Sequence, residues 1–325
     1  MVHAIKVHNT GGPEVLSWET IEVGEPGPGE VRIRHTAIGL NFIDTYFRTG
    51  LYPAPNGLPF IPGNEGAGIV LTVGDGVTNV KPGDRVAYAG ALGSYATERL
   101  FPASQLVVIP DGIDDKTAAG MMLKGMTAQY LLRQSYDVTS ETTLLFHAAA
   151  GGVGLIAGQW AAHLGATTIG TVGSAEKAEL AKAHGFQHVI NYNEENFVES
   201  VAEITGGKGC DVVYDSVGQD TYPGSLDCIR SRGLWVSFGQ SSGPITDFNL
   251  ALLAQKGSLF ATRPTLFNYI ATREELEKTA GDLFEVVKSG AVKIEINQEY
   301  RLADAAQAHT DLEGRKTTGT TVLIP

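Results

Sequence analysis

The chain is poor in cysteine, in charge and in cations. Two Cys in 325 residues are too few to staple a chain of this length or to form a four-thiolate metal site. Their scarcity fits a reducing compartment. Charged residues make up only 18% against 43% hydrophobic, a balance that excludes a disordered chain. Lys and Arg number 24 against 36 Asp and Glu, a formal charge of −12. That charge disfavours nucleic acid and anionic membrane surfaces as partners. No apolar run reaches the roughly 18 residues of a membrane span, and the opening Met1-Val2-His3-Ala4 leads into no signal-peptide core. Internal repeats and low-complexity tracts are also lacking. The expectation is a soluble cytoplasmic protein of one or two domains, at roughly 100 to 200 residues each.

What is present falls into two textures. Up to about Pro110, short strand-like runs (Val31 to His35, Gly68 to Val73, Arg85 to Tyr88, Leu106 to Ile109) are cut by turns such as Glu25-Pro26-Gly27-Pro28-Gly29 and Lys81-Pro82-Gly83-Asp84. That spacing predicts a mostly antiparallel β unit. A helix is expected over Asp115 to Gln134. From Thr142, apolar strands (Thr143 to Phe146, Thr167 to Val172, Val189 to Asn191, Asp211 to Tyr214, Leu234 to Phe238, Ser258 to Thr262) alternate with helical segments (Val153 to Leu164, Ala175 to Ala183, Glu195 to Thr205, Thr221 to Ile229). Such alternation indicates a parallel sheet covered on both faces. The helix Thr272 to Ser289 and the strands Lys293 to Glu299 and Thr320 to Ile324 do not continue it and return to the first unit. The domains expected are 1–125 with 266–325, and 126–265.

Thr143 to Phe146 runs into His147-Ala148-Ala149-Ala150-Gly151-Gly152-Val153-Gly154 and then a helical stretch. The helix's first N–H groups have no intrahelical partner and attract a pyrophosphate, while glycines admit its close approach. With strand–helix units repeated downstream, Gly151, Gly152 and Gly154 point to a dinucleotide. The next strand ends in Gly173-Ser174-Ala175-Glu176-Lys177, where an NAD site usually carries an acid. Ser174 can hydrogen-bond and Lys177 can neutralise a 2′-phosphate, and Tyr192 after the third strand can cover the same corner. NADPH is the expected cofactor. Ser174 also suits an ordinary N-cap, and Glu176 complements the helix dipole.

Gly39-Leu40-Asn41-Phe42-Ile43-Asp44-Thr45-Tyr46, Pro62-Gly63-Asn64-Glu65-Gly66-Ala67-Gly68, Val80-Lys81-Pro82-Gly83-Asp84-Arg85-Val86 and the Gly151–Gly154 turn resemble the zinc-independent quinone oxidoreductase, or zeta-crystallin-like, branch of the medium-chain dehydrogenase/reductase superfamily. The likeness extends over essentially the whole chain. It implies a Rossmann-type doubly wound parallel sheet domain plus a GroES-like, mostly β catalytic domain, and a homodimer formed through the nucleotide-binding domains. Zinc alcohol dehydrogenases of that superfamily carry Cys where Asn41 stands and His where Asn64 stands. No metal is therefore expected, and Glu65 and Asp44 read as acids that hold backbone.

Without a metal to polarise an alcohol, hydride delivery from NADPH to an already activated acceptor is the reaction that fits. The resemblance implies reduction of a quinone bound between the domains, with Asn41, Tyr46 and Tyr52 as candidate catalytic residues. Asn41 can orient the carboxamide or a substrate oxygen; the two Tyr can stack on a planar ring and donate through their hydroxyls. By matching positions, Asn41, Phe42, Ile43, Asp44, Thr45, Tyr46 and Tyr130 line the nicotinamide side, and Gly152 and Val153 the pyrophosphate. Ser216, Phe238, Gln240 and Ser241 follow strand ends, where ligands bind in such sheets, and Arg263 and Lys316 are candidate phosphate partners on loops. His147 reads as structural, not as a base. The alternatives are an NADPH-dependent enone or alkenal reductase and a non-enzymatic NADPH-binding protein, crystallin-like or RNA-binding.

Overall fold

The computed structural model describes all 325 residues. In chain order the strands are β1 (Val2–Val7), β2 (Leu16–Ile21), β3 (Glu30–Leu40), β4 (Glu65–Val73), β5 (Arg85–Ala89), β6 (Glu98–Pro102), β7 (Val107–Val108), β8 (Thr143–Phe146), β9 (Thr167–Val172), β10 (His188–Asn191), β11 (Cys210–Asp215), β12 (Ile229–Ser237), β13 (Phe260–Thr262), β14 (Ile296–Arg301) and β15 (Thr320–Ile324). They build two compact units, one from residues 1–124, 270–284 and 294–325, the other from 125–269 and 285–293.

The first unit holds a seven-stranded sheet in the order β14-β15-β3-β4-β5-β7, with β6 also paired to β3, and a separate β1-β2 hairpin. All its pairings are antiparallel except β14-β15. The alternation of β3 puts Val31 and Ile33 into one apolar cluster with Val70, Val86 and Phe101, while Ile38 and Leu40 join Ile5, Tyr95, Leu302 and Leu323 in another. Where β3 ends, Asn41 is extended (φ −134°, ψ 154°) and caps a helix, Phe42–Thr49, which stops at Gly50 in the left-handed region (φ 83°). Gly is the residue that adopts this conformation without cost. Neither this helix nor β1 and β2 stood out in the sequence.

The second unit is a parallel sheet in the order β10-β9-β8-β11-β12-β13. Leu145, Ile169, Val213 and Trp235 are among the residues of its core, as expected of strands covered on both faces. Helices Gly152–His163 and Ala175–Ala183 follow β8 and β9, and the turn after the second packs close on the first because Gly158 has no side chain: a Cβ there would lie 2.4 Å from the Phe186 ring. The helix expected over Thr221 to Ile229 is only Gly224–Asp227, because Pro223 precedes it and Ile229 already begins β12. The expected helix over Asp115 to Gln134 is α-helical to Tyr130 and widens to a π-turn over Leu131–Ser135. The strand expected from Lys293 begins at Ile296, and Lys293 is tied to Gln159 by two hydrogen bonds. Both Cys are buried and unpaired, and burial, with Asp211 nearby, pushes the Cys210 thiol up to about 12. No helix is long and apolar enough to cross a membrane.

Candidate active site

In the second unit the residues expected at a nucleotide gather at the carboxyl ends of the strands. Gly151 caps helix Gly152–His163 with no side-chain hydrogen bond, leaving the first amides to a ligand. Ala148 takes a positive φ of 58°, and the Gly151 N–H closes the turn on the Ala148 carbonyl at 2.9 Å. Gly154 is sterically required: a Cβ there would lie 2.5 Å from the Ala149 oxygen and 2.6 Å from that of Ala148. Gly152 and Val153 sit half-buried in the first turn. This cradle fits a pyrophosphate.

At the tip of β9, Ser174 does cap its helix, accepting the Lys177 N–H at 3.2 Å. Gly173 leaves space for the exposed Tyr192; a Cβ there would lie 2.5 Å from the Tyr192 hydroxyl. Gly173, Ser174, Lys177 and Tyr192 thus share one corner, joined by a residue the sequence reading missed: Asn193, whose Nδ2 donates to the Gly173 carbonyl at 2.8 Å. Beyond β11 and β12, the Ser241 N–H donates to the Ser216 carbonyl at 3.1 Å and the Phe238 N–H to that of Asp215 at 2.8 Å. The two turns that carry Ser216, Phe238, Gln240 and Ser241 are therefore one layer. Fully buried Asp215 organises it, accepting the N–H groups of Val217 and Gly218 at 2.9 and 3.1 Å and the hydroxyls of Thr221 and Ser225 at 2.8 Å. The Asp-Ser-Val-Gly run after a strand was the available signal, since Asp caps such turns through its own carboxylate. His147 lies between Thr171 (Nδ1 to Oγ1, 2.9 Å) and Ser225 (Nε2 to Oγ, 3.1 Å), and burial lowers its pKa. Tyr130 stacks on Tyr269 with ring centroids 4.4 Å apart. Arg263, exposed, donates to the Ser237 carbonyl at 2.8 Å.

The other predicted residues belong to the first unit. Along helix Phe42–Thr49 and the loop after it, the rings of Phe42 and Tyr46 lie 5.9 Å apart and those of Tyr46 and Tyr52 meet edge-on at 5.2 Å, with the Tyr52 N–H on the Tyr46 carbonyl at 2.9 Å. Ile43 is half-buried and Thr45 buried, its hydroxyl donating to the Phe42 carbonyl at 2.7 Å. Asp44 has no exposed surface. Its Oδ2 accepts the Asn41 N–H and the Tyr95 hydroxyl, each at 3.0 Å, and Oδ1 has no partner. Burial, only partly offset by those two donors, pushes its carboxyl up to about 7. The network continues from Tyr95 to His309 Nε2 at 3.0 Å and from His309 Nδ1 to Arg48 at 3.1 Å. Arg48 also grips Glu313 through two bonds of 2.9 and 2.7 Å. A guanidinium only donates, so His309 Nδ1 accepts and Nε2 carries the hydrogen. Burial and the Arg48 charge hold its pKa near 3. Lys316 is exposed, its Nζ 3.5 Å from Asp311 Oδ1.

Glu65, fully buried, accepts from Asn41 Nδ2 at 2.7 Å, Lys124 Nζ at 2.6 Å and the Leu123 N–H at 2.7 Å. Lys124 and the helix interior that brings it here left no mark in the sequence reading, because a lone Lys in a helix usually faces water.

Residues 27–139 match the Alcohol dehydrogenase GroES-like domain and 152–284 the Zinc-binding dehydrogenase model. Over the full length of both chains the protein is 57% identical to a quinone oxidoreductase of Pseudomonas aeruginosa. The chain belongs to the quinone oxidoreductase family of the medium-chain dehydrogenase/reductase superfamily. Within that superfamily, it superposes with a TM-score of 0.98 on the crystal structure of Escherichia coli quinone oxidoreductase complexed with NADPH, at 52% identity, covering 99% of this chain and all of that one. A 2-haloacrylate reductase of a Burkholderia species is 48% identical over all of this chain and 99% of its own. The zinc in the name of the second family model does not suit the donors here. Asn64 spends its Nδ2 on the Gly90 carbonyl at 2.8 Å, Asn41 donates to Glu65, and the Lys124 ammonium sits on the Glu65 carboxylate. Amides and an ammonium are the wrong set for that ion, and no three His, Cys, Asp or Glu gather elsewhere to hold one.

Proposed function

We infer that the protein is an NADPH:quinone oxidoreductase acting without a metal, converting a quinone, NADPH and one proton into the hydroquinone and NADP⁺. The observation that carries this reading is the 57% identity to a quinone oxidoreductase over the whole of both chains. When bound, NADPH supplies hydride from C4 of its nicotinamide. The Gly151–Gly154 turn would hold the pyrophosphate, and Ser174, Lys177 and Tyr192 the 2′-phosphate, with Gly173 giving the room. Ser216, Phe238, Gln240, Ser241, Tyr130 and Arg263 would border the rest of the cofactor within the same unit, and Lys316 is a further candidate phosphate partner. On the first unit, Asn41 would orient the nicotinamide carboxamide, while Tyr46 and Tyr52, whose rings meet edge-on, would offer aromatic surface and phenolic hydroxyls to the acceptor. In this reading residues 1–125 with 266–325 are the catalytic domain, and 126–265 hold the cofactor.

Turnover on a benzoquinone, a naphthoquinone and a simple enone, each with NADPH and NADH, tests it. Highest kcat/KM on a quinone with NADPH is expected. The likeness to a 2-haloacrylate reductase favours reduction of an activated double bond as the second reading, and a faster enone would select it. Tight NADPH binding without turnover on any acceptor would select a non-enzymatic role. We propose further that the protein is a cytoplasmic homodimer. Strand β13 is a free sheet edge whose Phe260 is 64% exposed, and such an edge is normally covered.

A further inference from the structure

We propose that Glu65, anchored by Lys124 and the Leu123 N–H, is a positioning residue that sets the orientation of the Asn41 amide and so makes Asn41 a reader of the nicotinamide carboxamide. The proposal rests on the reading of Asn41 as a nicotinamide contact. Glu65 opens β4 opposite Gly39 of β3, and Gly39 makes the room it occupies: a Cβ there would lie 2.1 Å from Glu65 Oε1. A carboxylate accepts and does not donate, and all three of its partners, Asn41 Nδ2, Lys124 Nζ and the Leu123 N–H, are donors. Turning the Asn41 amide over would set its oxygen against Oε1 at hydrogen-bond distance, two acceptors with no hydrogen between them. Asn41 therefore directs its NH₂ to Glu65 and turns Oδ1 to the first turn of its helix, where the Asp44 N–H completes a capping box and one lone pair is left for a further partner. The backbone is held as firmly, because the Asn41 N–H is bonded to Asp44 Oδ2 at 3.0 Å. Lys124, whose side chain is 7% exposed, keeps the buried carboxylate paired, without which it would be strongly destabilising.

An oxygen held in this way selects its ligand. A quinone presents only acceptors, whereas the carboxamide of a nicotinamide presents an N–H. Asn41 Oδ1 is thus matched to the cofactor, and the role left to Asn41 is to fix the nicotinamide plane.

The experiment is a thermodynamic cycle on the full-length enzyme comparing wild type, Asn41→Ala, the charge-neutral pair Glu65→Gln with Lys124→Met, and all three changes together. In the neutral pair, the Gln can still accept from Leu123 while turning an NH₂ toward Asn41. Dissociation constants are measured for NADPH, for its 3-acetylpyridine analogue, which lacks the carboxamide N–H, and for 2′,5′-ADP, which lacks the nicotinamide. One hydrogen bond corresponds to about 10-fold. Wild type is expected to bind the acetylpyridine analogue about 10-fold more weakly than NADPH. The neutral pair is expected to lose that preference, to bind 2′,5′-ADP as wild type does, and to add nothing once Asn41 is Ala. If Asn41→Ala binds NADPH like wild type, the reading of Asn41 fails and the proposal with it. If Asn41→Ala is weakened but the neutral pair keeps the full carboxamide preference, the positioning role alone is refuted. A loss that persists undiminished in the Asn41→Ala background also refutes it, since Glu65 would then serve the fold. Should the neutral pair not fold, Glu65→Asp, which keeps the charge and withdraws the carboxylate by one methylene, takes its place in the cycle.

Discussion

Replacing Asp44 by Asn should change how the stability of this protein depends on pH. Asp44 has no solvent exposure, and its carboxyl is raised from 3.8 to about 7, chiefly by burial. Between those two values the unfolded chain has released the proton while the folded one retains it. The contribution of Asp44 to stability is therefore complete below pH 3.8 and is lost as pH rises through 7, at about 1.4 kcal/mol for each pH unit. The full span amounts to roughly 4 kcal/mol, of which about 2 falls between pH 5 and 7. Asn does not titrate, but its Oδ1 can still accept from the Asn41 N–H and the Tyr95 hydroxyl, and its NH₂ takes the place of the unpartnered Oδ1. Any cost of that unpaired NH₂ is a constant offset, so the decisive quantity is the slope of the difference. Urea unfolding of wild type and Asp44→Asn at half-unit steps from pH 5 to 8 should show the variant gaining on wild type by about 2 kcal/mol up to pH 7, then levelling off toward pH 8. His35 and His309, held neutral by burial with pKa near 3, lower the stability of both proteins below pH 6.5, and this cancels in the difference. A difference that is flat, or that moves toward wild type as pH rises, would refute the assignment of a neutral carboxyl at Asp44.

Four further outcomes are expected. Lys177→Ala should raise KM for NADPH about 10-fold while leaving NADH little changed, since the proposed charge-assisted contact to the 2′-phosphate would be removed; initial-rate kinetics with both cofactors decide. Gly154→Ala should weaken NADPH binding by 10-fold or more, because the new Cβ lies 2.5 Å from a backbone oxygen and must displace the turn; isothermal titration measures it. Arg48→Met should cost about 2 to 3 kcal/mol in chemical unfolding, as it strips partners from His309 and Glu313 around a side chain that is 1% exposed. Phe260→Lys should convert the proposed dimer to a monomer in light scattering, because a charge on the sheet edge opposes pairing.

The order of strands and helices in the nucleotide unit was legible in the sequence because a parallel sheet covered on both faces needs apolar runs of fixed length, and glycines have to stand where a phosphate comes close. Thr167–Val172 and Ala175–Ala183 carry the same limits in the chain and in the fold. The first unit was less legible. β2 has little apolar periodicity, and helix Phe42–Thr49 is short and aromatic, without the helix formers that would mark it. Ser174 and Tyr192 could be brought to one corner by counting strand ends, whereas Asn193 and Asp215 could not, since their work is done on backbone groups near in space.

The amino-acid sequence by itself determined the class of the protein: too few thiols for a four-thiolate metal site, apolar strands alternating with helices, and a glycine turn opening a helix. Those are properties of residue type and local spacing. The tertiary structure alone decided which way the Asn41 amide faces and which carboxyl keeps its proton. Both depend on burial and on partners 24 to 59 positions apart in the chain, Glu65 to Asn41 and to Lys124, and Tyr95 to Asp44. Charge and hydrogen-bond polarity act through space at a few ångströms, and no local pattern encodes that distance.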